Sequence, residues 1–329
     1  MTSGPATPDD AGELFVPLVT GGAIPDPRVL PSSPVTRFAP APTGYLHLGH
    51  LVNVLYVWGI ARATGGRVIL RIEDHDRQRS RMAYDEAIRH DLARLAVVPD
   101  EPDPAAFAGQ TPYRQSQAGS VYVAAVARLR AEGLVYACAC SRSTFAAWAA
   151  ANGRPWRGIG CPGECRSRGL SEDGDVGLRV AVGAGSERWV DLLAGPMADE
   201  AAASGDPLVR DRVGNWTYAL CVVVDDMRQG VDLVIRGRDL LDATPVQLRL
   251  ARLLGRETPP RFLHHPLIRR ASGQKLSKAV GDTSVRSLLD AGTPPAVLFA
   301  RAARLAGVRA TDEPLDPRDL ESVFVGPTT

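Results

Sequence analysis

The chain has 329 residues, 45% of them hydrophobic and 23% charged, with a formal net charge of +1. That length holds one large core or two modest ones, and the composition is ordinary for a globular protein in water. The balanced charge argues neither for nor against nucleic acid as a partner, and a local basic surface stays open because arginine outnumbers lysine. No apolar run approaches a membrane span, and no basic patch with an apolar stretch behind it marks a secretory leader, so a cytoplasmic location is expected.

Residues 1–34 are rich in Pro, Gly, Ser and Asp and read as a flexible tail with one short apolar piece, "LFVPLV". Ordered structure is expected from "VTRF", a short β-type run. The next stretch, "HLGHLVNVLYVWGIARAT", spaces Leu48, Leu51, Leu55, Trp58 and Ala61 like one face of a helix, which Gly65 and Gly66 end. "RVILRIE" then reads as a buried strand. Strand, helix and strand form a βαβ unit, and an open α/β sheet binds its ligand in the loop that follows, here "DHDRQRSR".

Farther on, a helix is expected over residues 82–95, a Pro-rich loop to about 112, and a helix within "SQAGSVYVAAVARLRAEG". "GLRVAV" and "ERWVDLL" read as antiparallel strands. "VDLVIRG" reads as a strand, "DLLDATPVQLRLARLLG" as a helix and "RFLHHPLI" as a strand. The expected division is a tail (1–34), a split α/β domain (35–115 and 206–329) and an insert (116–205). No internal repeat is seen.

Two stretches carry chemistry. In "RFAPAPTGYLHLGH", a Pro-stiffened loop with Gly44 at its turn runs into a helix N-terminus, where unpaired N–H groups and the dipole attract phosphate. His47 and His50, three residues apart, face one side of that first turn, and Gly49 leaves room beside it. On its own such a pair reads as surface histidines at a helix start. In "SGQKLSKAV", Lys275 and Lys278 flank a serine next to Gly273, and lysines on a mobile loop can close over a triphosphate. On its own that pair reads as solvated surface.

Taken together and in this order, "HLGH" and "KLSK" resemble the two signature motifs of class I aminoacyl-tRNA synthetases. "RFAPAPTG", "RIEDHDRQRS", "YRQSQ", "VVVDDMRQGVDLVIRGRDLL" and "HHPLIRRASGQKLSK" resemble the glutamyl branch, and "RGRDLLDATPVQ" resembles its glutamyl-Q tRNA(Asp) synthetase paralogues, which lack an anticodon-binding domain. The residues after Lys278 are too few for such a domain. The resemblance implies a Rossmann-type class I catalytic domain with a zinc-containing α+β insertion and a short helical C-terminal region.

It also implies an enzyme that activates L-glutamate with ATP and Mg²⁺ and transfers it to the queuosine base in the anticodon loop of tRNA(Asp), acting as a monomer. By position in the motifs, His47, Gly49, His50 and Lys278 would contact ATP, with Lys275 assisting loop closure. Arg37 and Arg236 would grip the side-chain carboxylate with forked donors, Tyr218 would add a hydroxyl and Glu73 would take the α-ammonium. Ala41 stands where the family usually has Ser, His50 is kept where glutamyl-Q members often replace it, and the Arg common after the first signature is missing. Two alternatives stay open: a shortened glutamyl-tRNA synthetase paralogue loading glutamate or another amino acid onto another acceptor, and a non-catalytic RNA-binding relative.

Of five cysteines, four form two close pairs, Cys138-Ala-Cys140 and Cys161-Pro-Gly-Glu-Cys165, while Cys221 reads as a small buried residue. In a cytoplasmic chain such pairs favour a structural zinc ion over disulfides, the alternative being four thiols without metal. The family commonly has Tyr at the position of Cys161. Arg154, Arg157, Arg166 and Arg168 flank the cysteines and read either as phosphate contacts or as solvated surface.

Overall fold

The computed structural model describes residues 15–17, 23–153, 160–270 and 284–325. Its strands are β1 (Phe15–Pro17), β2 (Val35–Phe38), β3 (Arg67–Leu70), β4 (Val135–Cys138), β5 (Gly177–Val180), β6 (Ser186–Asp191), β7 (Gly195–Glu200), β8 (Leu208–Arg210), β9 (Leu233–Gly237), β10 (Arg261–His265) and β11 (Ile268–Arg270). Its α-helices are α1 (Leu48–Ala63), α2 (Met82–Arg94), α3 (Gly119–Ala131), α4 (Arg142–Ala151), α5 (Tyr218–Arg228), α6 (Thr244–Leu253), α7 (Val285–Asp290) and α8 (Pro295–Leu305).

Two parallel pairs form the centre. β2 pairs with β3 in the register Val35↔Arg67 to Phe38↔Leu70, and β9 pairs with β10 in the register Leu233↔Arg261 to Gly237↔His265. The pairs meet where the Asp232 amide donates to the Val35 carbonyl (3.1 Å) and the Val35 amide to Asp232 Oδ1 (2.8 Å). On the far side of β10, β6 joins in parallel with Asp191 opposite Phe262, and β7 pairs antiparallel with β6. The carboxyl ends of β2, β3, β9 and β10 therefore face one edge, where an open α/β sheet presents its ligand site.

Helix α1 crosses from β2 to β3. The five expected apolar positions are buried, and so are Val52, Val54, Tyr56, Val57 and Ile60. The helix is enclosed on all sides rather than along one face, because α8 and the 3₁₀ turn Leu320–Val323 cover it. Gly59 permits this: a Cβ there would lie 2.4 Å from the Phe324 ring and 2.8 Å from the Leu320 carbonyl.

A second apolar cluster joins Tyr122, Val126 and Leu129 of α3, Leu178 and Val180 of β5, and Val209 of β8 to Leu220 through Val224 of α5 and Leu250 of α6. Cys221 sits in it, fully buried.

Several elements differ from the sequence reading. "GLRVAV" and "ERWVDLL" do not pair with each other: β5 sits between β4 and β8, whereas β6 belongs to the β9–β10 sheet. Strand pairing thus crosses the limits expected for the insert, since β6 and β7 lie inside 116–205 and β8 beyond it. The helix expected over 239–255 begins as a 3₁₀ turn, Arg238–Ala243, before α6, with Pro245 in α6's first turn. The strand expected over 261–268 breaks at Pro266 into β10 and β11, as proline interrupts a ladder. Within the expected tail, β1 pairs antiparallel with β11, Ala23 is buried, and the Tyr56 hydroxyl donates to the Ala23 carbonyl (2.5 Å).

Candidate active site

His47 is the N-cap of α1. Its Nδ1 accepts from the Gly49 amide (3.1 Å), while His50 Nδ1 accepts from the His47 amide (3.0 Å). The two imidazoles act as a reciprocal capping box with ring centroids 3.9 Å apart. Because each Nδ1 accepts, each neutral ring carries its proton on Nε2. The first turn of α1 thus presents its dipole end together with two imidazole N–H groups of fixed tautomer.

Gly49 is needed here, since a Cβ would stand 2.9 Å from His47 Cε1 and 3.0 Å from its Nδ1. The loop before the helix is tied to the sheet edge: the Glu73 amide donates to the Pro40 carbonyl (3.0 Å) and the Arg81 amide to the Pro42 carbonyl (3.0 Å). Ala41 lies between them, its carbonyl closing the turn on the Thr43 amide (2.8 Å).

The carboxyl ends of β2, β3 and β9 hold a buried ionic network. Arg37 donates through Nε to Asp226 Oδ1 (3.1 Å) and through NH1 to the Ile235 carbonyl (3.2 Å). Arg71, wholly buried, donates to the same Asp226 oxygen (2.8 Å), to Gln229 (2.8 Å) and to Glu73 Oε1 (3.0 Å). Asp225 accepts from Gln115 (2.8 Å), the Tyr122 hydroxyl (2.9 Å) and Arg228 (2.8 Å). Burial works to raise the Asp226 carboxyl, but Arg37 and Arg71 outweigh it and hold the group below its usual range. Arg71 goes the other way: its three carboxylate neighbours overcome burial and raise it.

Arg236 is different. It is buried, and among the described residues it makes no ion pair with a carboxylate. Its donors go to neutral acceptors: Nε to His264 Nε2 (3.0 Å), NH1 to Gln247 Oε1 (2.7 Å), and NH2 to the Leu240 carbonyl (3.2 Å) and Thr244 Oγ1 (2.8 Å). Burial draws this guanidinium below its ordinary value, with the neighbouring Tyr218 opposing. Burial also raises the Tyr218 hydroxyl, whose charged neighbours are Arg236, Glu73, Arg37 and Asp226.

The structure therefore brings Arg37, Glu73, Tyr218 and Arg236 together around one electrostatic centre. The forked grip expected of Arg236 does not fit: four of its five N–H groups are already used, and the Tyr218 hydroxyl is a further hydrogen-bonding neighbour of the guanidinium. Lys275 and Lys278 lie outside the described residues, as do Arg154 and Arg157.

The sequence reading missed Arg71, Asp226, His264, Thr244 and Gln247 as site residues. The signal for Arg71 was a charged residue inside an apolar run, and for Asp226 an Asp-Asp step closing one. For His264 it was the "HH" step at a strand end.

In the cysteine cluster, the four sulfurs of Cys138, Cys140, Cys161 and Cys165 all lie within 4.8 Å of one another, and Cys140 Sγ is 3.5 Å from those of both Cys161 and Cys165. None is in a disulfide. A tetrahedral ion with metal–sulfur bonds of about 2.3 Å needs sulfurs about 3.8 Å apart, so the set can hold a metal ion. N–H groups already point at the sulfurs, from Gly163 to Cys161 (3.4 Å) and from Arg179 Nε to Cys138 (3.2 Å). Arg166 and Arg168 are exposed, as the solvated-surface alternative expects, and also touch this knuckle: Arg166 pairs with buried Asp206 (2.5 Å) and Arg168 reaches Cys165 Sγ (3.7 Å).

The nucleotide-type helix start, the acidic and basic groups beside it and the parallel sheet agree with what comparison finds. Residues 34–314 match the family of class I tRNA synthetases (E and Q), catalytic domain, and the chain belongs to that family. Within it, the chain is 42% identical over 297 residues to the glutamyl-Q tRNA(Asp) synthetase of Symbiobacterium thermophilum, covering 88% of this chain and 91% of that protein. It is 38% identical over 292 residues to the enzyme of the same name from Nitratidesulfovibrio vulgaris. The fold matches the glutamate tRNA ligase of Elizabethkingia meningosepticum, with a TM-score of 0.71 at 23% identity. That match covers 88% of this chain and 64% of the ligase.

Proposed function

We propose that the protein activates L-glutamate with ATP and transfers the glutamyl group to the queuosine base in the anticodon loop of tRNA(Asp). The observation that carries the amino-acid half is Arg236, a buried guanidinium without a carboxylate partner among the described residues, next to Arg37, Tyr218 and Glu73. A buried unpaired cation is costly, and the side-chain carboxylate of glutamate would offset that cost. Arg236 would supply its charge, and Arg37 the NH2 donors not used by Asp226. Glu73, balanced by Arg71, would receive the α-ammonium. The acceptor half rests on the relatives' names and their coverage.

In activation, an α-carboxylate oxygen attacks the α-phosphorus of ATP in line. The new P–O bond forms as the bond to the β-phosphate breaks and pyrophosphate leaves. No protein nucleophile is needed; the protein positions the reactants and stabilises charge. The Nε2–H groups of His47 and His50 and the dipole of α1 would meet the phosphates, which Mg²⁺ accompanies as part of the substrate. Lys278 would add charge from the second signature and Lys275 would assist loop closure. An acceptor hydroxyl then attacks the acyl carbon and AMP departs.

The cysteine knuckle would hold one Zn²⁺ through Cys138, Cys140, Cys161 and Cys165, closed to substrate and structural in role. The protein would act as a cytoplasmic monomer. Its test is pyrophosphate exchange with glutamate, followed by transfer of labelled glutamate to tRNA(Asp) with and without queuosine. Glutamate-dependent exchange without tRNA, and label only on the queuosine-bearing tRNA, are expected. Exchange that requires tRNA(Glu), or label on a 3′-terminal ribose, would refute it.

A further inference from the structure

Arg236, His264 and Asp191 stand side by side across three strands. Arg236 of β9 and His264 of β10 are register partners, and β6, which ends at Asp191, lies on the other side of β10. The His264 Nδ1–H donates to Asp191 Oδ2 (2.6 Å), and His264 Nε2 accepts from Arg236 Nε (3.0 Å). All three side chains are at least 95% buried. The second Asp191 oxygen accepts the amides of Leu193 and Ala194 (both 3.0 Å). This donor set fixes the Asp191 carboxylate as an anion, and that anion fixes the His264 tautomer so that Nε2 accepts. Phe262 stacks on His264, with ring centroids 5.7 Å apart, and lies 5.3 Å from the Arg236 guanidinium.

We propose that Asp191, acting through His264, is the positioning residue and remote counter-charge of Arg236, and so sets selection for a substrate carboxylate. This rests on the glutamate reading above. A carboxylate bonded directly to Arg236 would cancel the attraction of the guanidinium for a substrate carboxylate. A carboxylate one imidazole away balances the buried charge at a distance and leaves the guanidinium without a directly bonded anion. It also orients the guanidinium, because His264 holds Nε while Thr244 and Gln247 hold NH2 and NH1. The relay has no place in bond-making; it acts only through Arg236.

The test is pyrophosphate exchange by the full chain with glutamate and with glutamine, alongside thermal unfolding. Asp191→Asn keeps the shape, removes the charge and lets the amide present N–H to His264, which would turn Nε2 into a donor facing Arg236. The expected result is a KM for glutamate raised about ten- to a hundredfold, kcat within about threefold, an unchanged KM for ATP, and a lower glutamate-to-glutamine rate ratio. His264→Gln retains an acceptor for Arg236 and should keep a higher ratio than His264→Leu. The ratio is taken within one preparation, so the folded fraction does not affect it, and the two His264 variants decide the matter if Asp191→Asn does not fold. An unchanged glutamate KM and ratio in Asp191→Asn, KM values for ATP and glutamate rising together, or equal ratios in the His264 pair would overturn the relay. A wild-type protein without glutamate-dependent exchange would remove the functional reading itself, and the relay with it.

Discussion

Gly49→Ala separates the architecture of the first signature from the stability of the helix that bears it. The added Cβ would sit 2.9 Å from His47 Cε1 and 3.0 Å from Nδ1, well inside the roughly 3.5 Å of an ordinary carbon contact. The imidazole must leave its place, and the 3.1 Å bond from the Gly49 amide goes with it. Loss of an N-cap costs about 1 kcal/mol, while Ala in place of Gly in a helix returns up to about 1 kcal/mol. The two nearly cancel, so Tm should move by no more than about 3 °C in a chain of this size. Activity should not be spared, since a phosphate contact displaced by about 1 Å costs on the order of a hundredfold in rate. Pyrophosphate exchange at saturating glutamate and ATP, with calorimetry on the same sample, measures both. A rate within about twofold of wild type would refute the role given to the His47 position. A loss of rate matched by an equal loss of folded protein would refute the claimed separation.

Other perturbations test the packing, titration and metal readings. Gly59→Ala drives a methyl into the Phe324 ring and the Leu320 carbonyl, and should destabilise by about 1–3 kcal/mol in denaturant; trimming the ring in a Gly59→Ala/Phe324→Leu double variant should restore part of it. Burial pushes the His265 imidazole down to about 4 from an ordinary 6.5. The native state therefore refuses a proton that the unfolded chain accepts, and up to about 3 kcal/mol of stability should vanish as pH falls from 6.5 to 4; His265→Gln should flatten that slope. Metal analysis should find one Zn²⁺ per chain, and chelation or Cys161→Ser should lower Tm and expose thiols to titration while α1 keeps its helicity; a thiol count unchanged by chelation would contradict the closed knuckle.

Much of the fold was legible because local rules agree with the tertiary outcome. Residues 82–95 read as a helix and fold as α2, and "VDLVIRG" contains β9. Errors fell where pairing partners lie far apart in sequence. Nothing in "ERWVDLL" says that it pairs in parallel with a strand some seventy residues later rather than with "GLRVAV" nearby. Helix α5 was not read as one, because its apolar run, "ALCVVV", fits a strand equally well until it is packed between α3 and α6.

By itself, the sequence determined the chemical inventory: a Pro-Gly loop entering a helix through two histidines, arginines and a glutamate at strand ends, four paired thiols, and membership of one synthetase family. These are properties of residue type and short spacing, which local geometry makes unambiguous. Only the tertiary structure decided how the charges are apportioned. It gave Arg37 and Arg71 a shared carboxylate in Asp226, set Asp191 one imidazole away from Arg236, and turned Arg166 toward Asp206. Those choices depend on which strands lie side by side, and in a low-dielectric interior a few ångströms decide whether an arginine is neutralised or left able to bind a carboxylate.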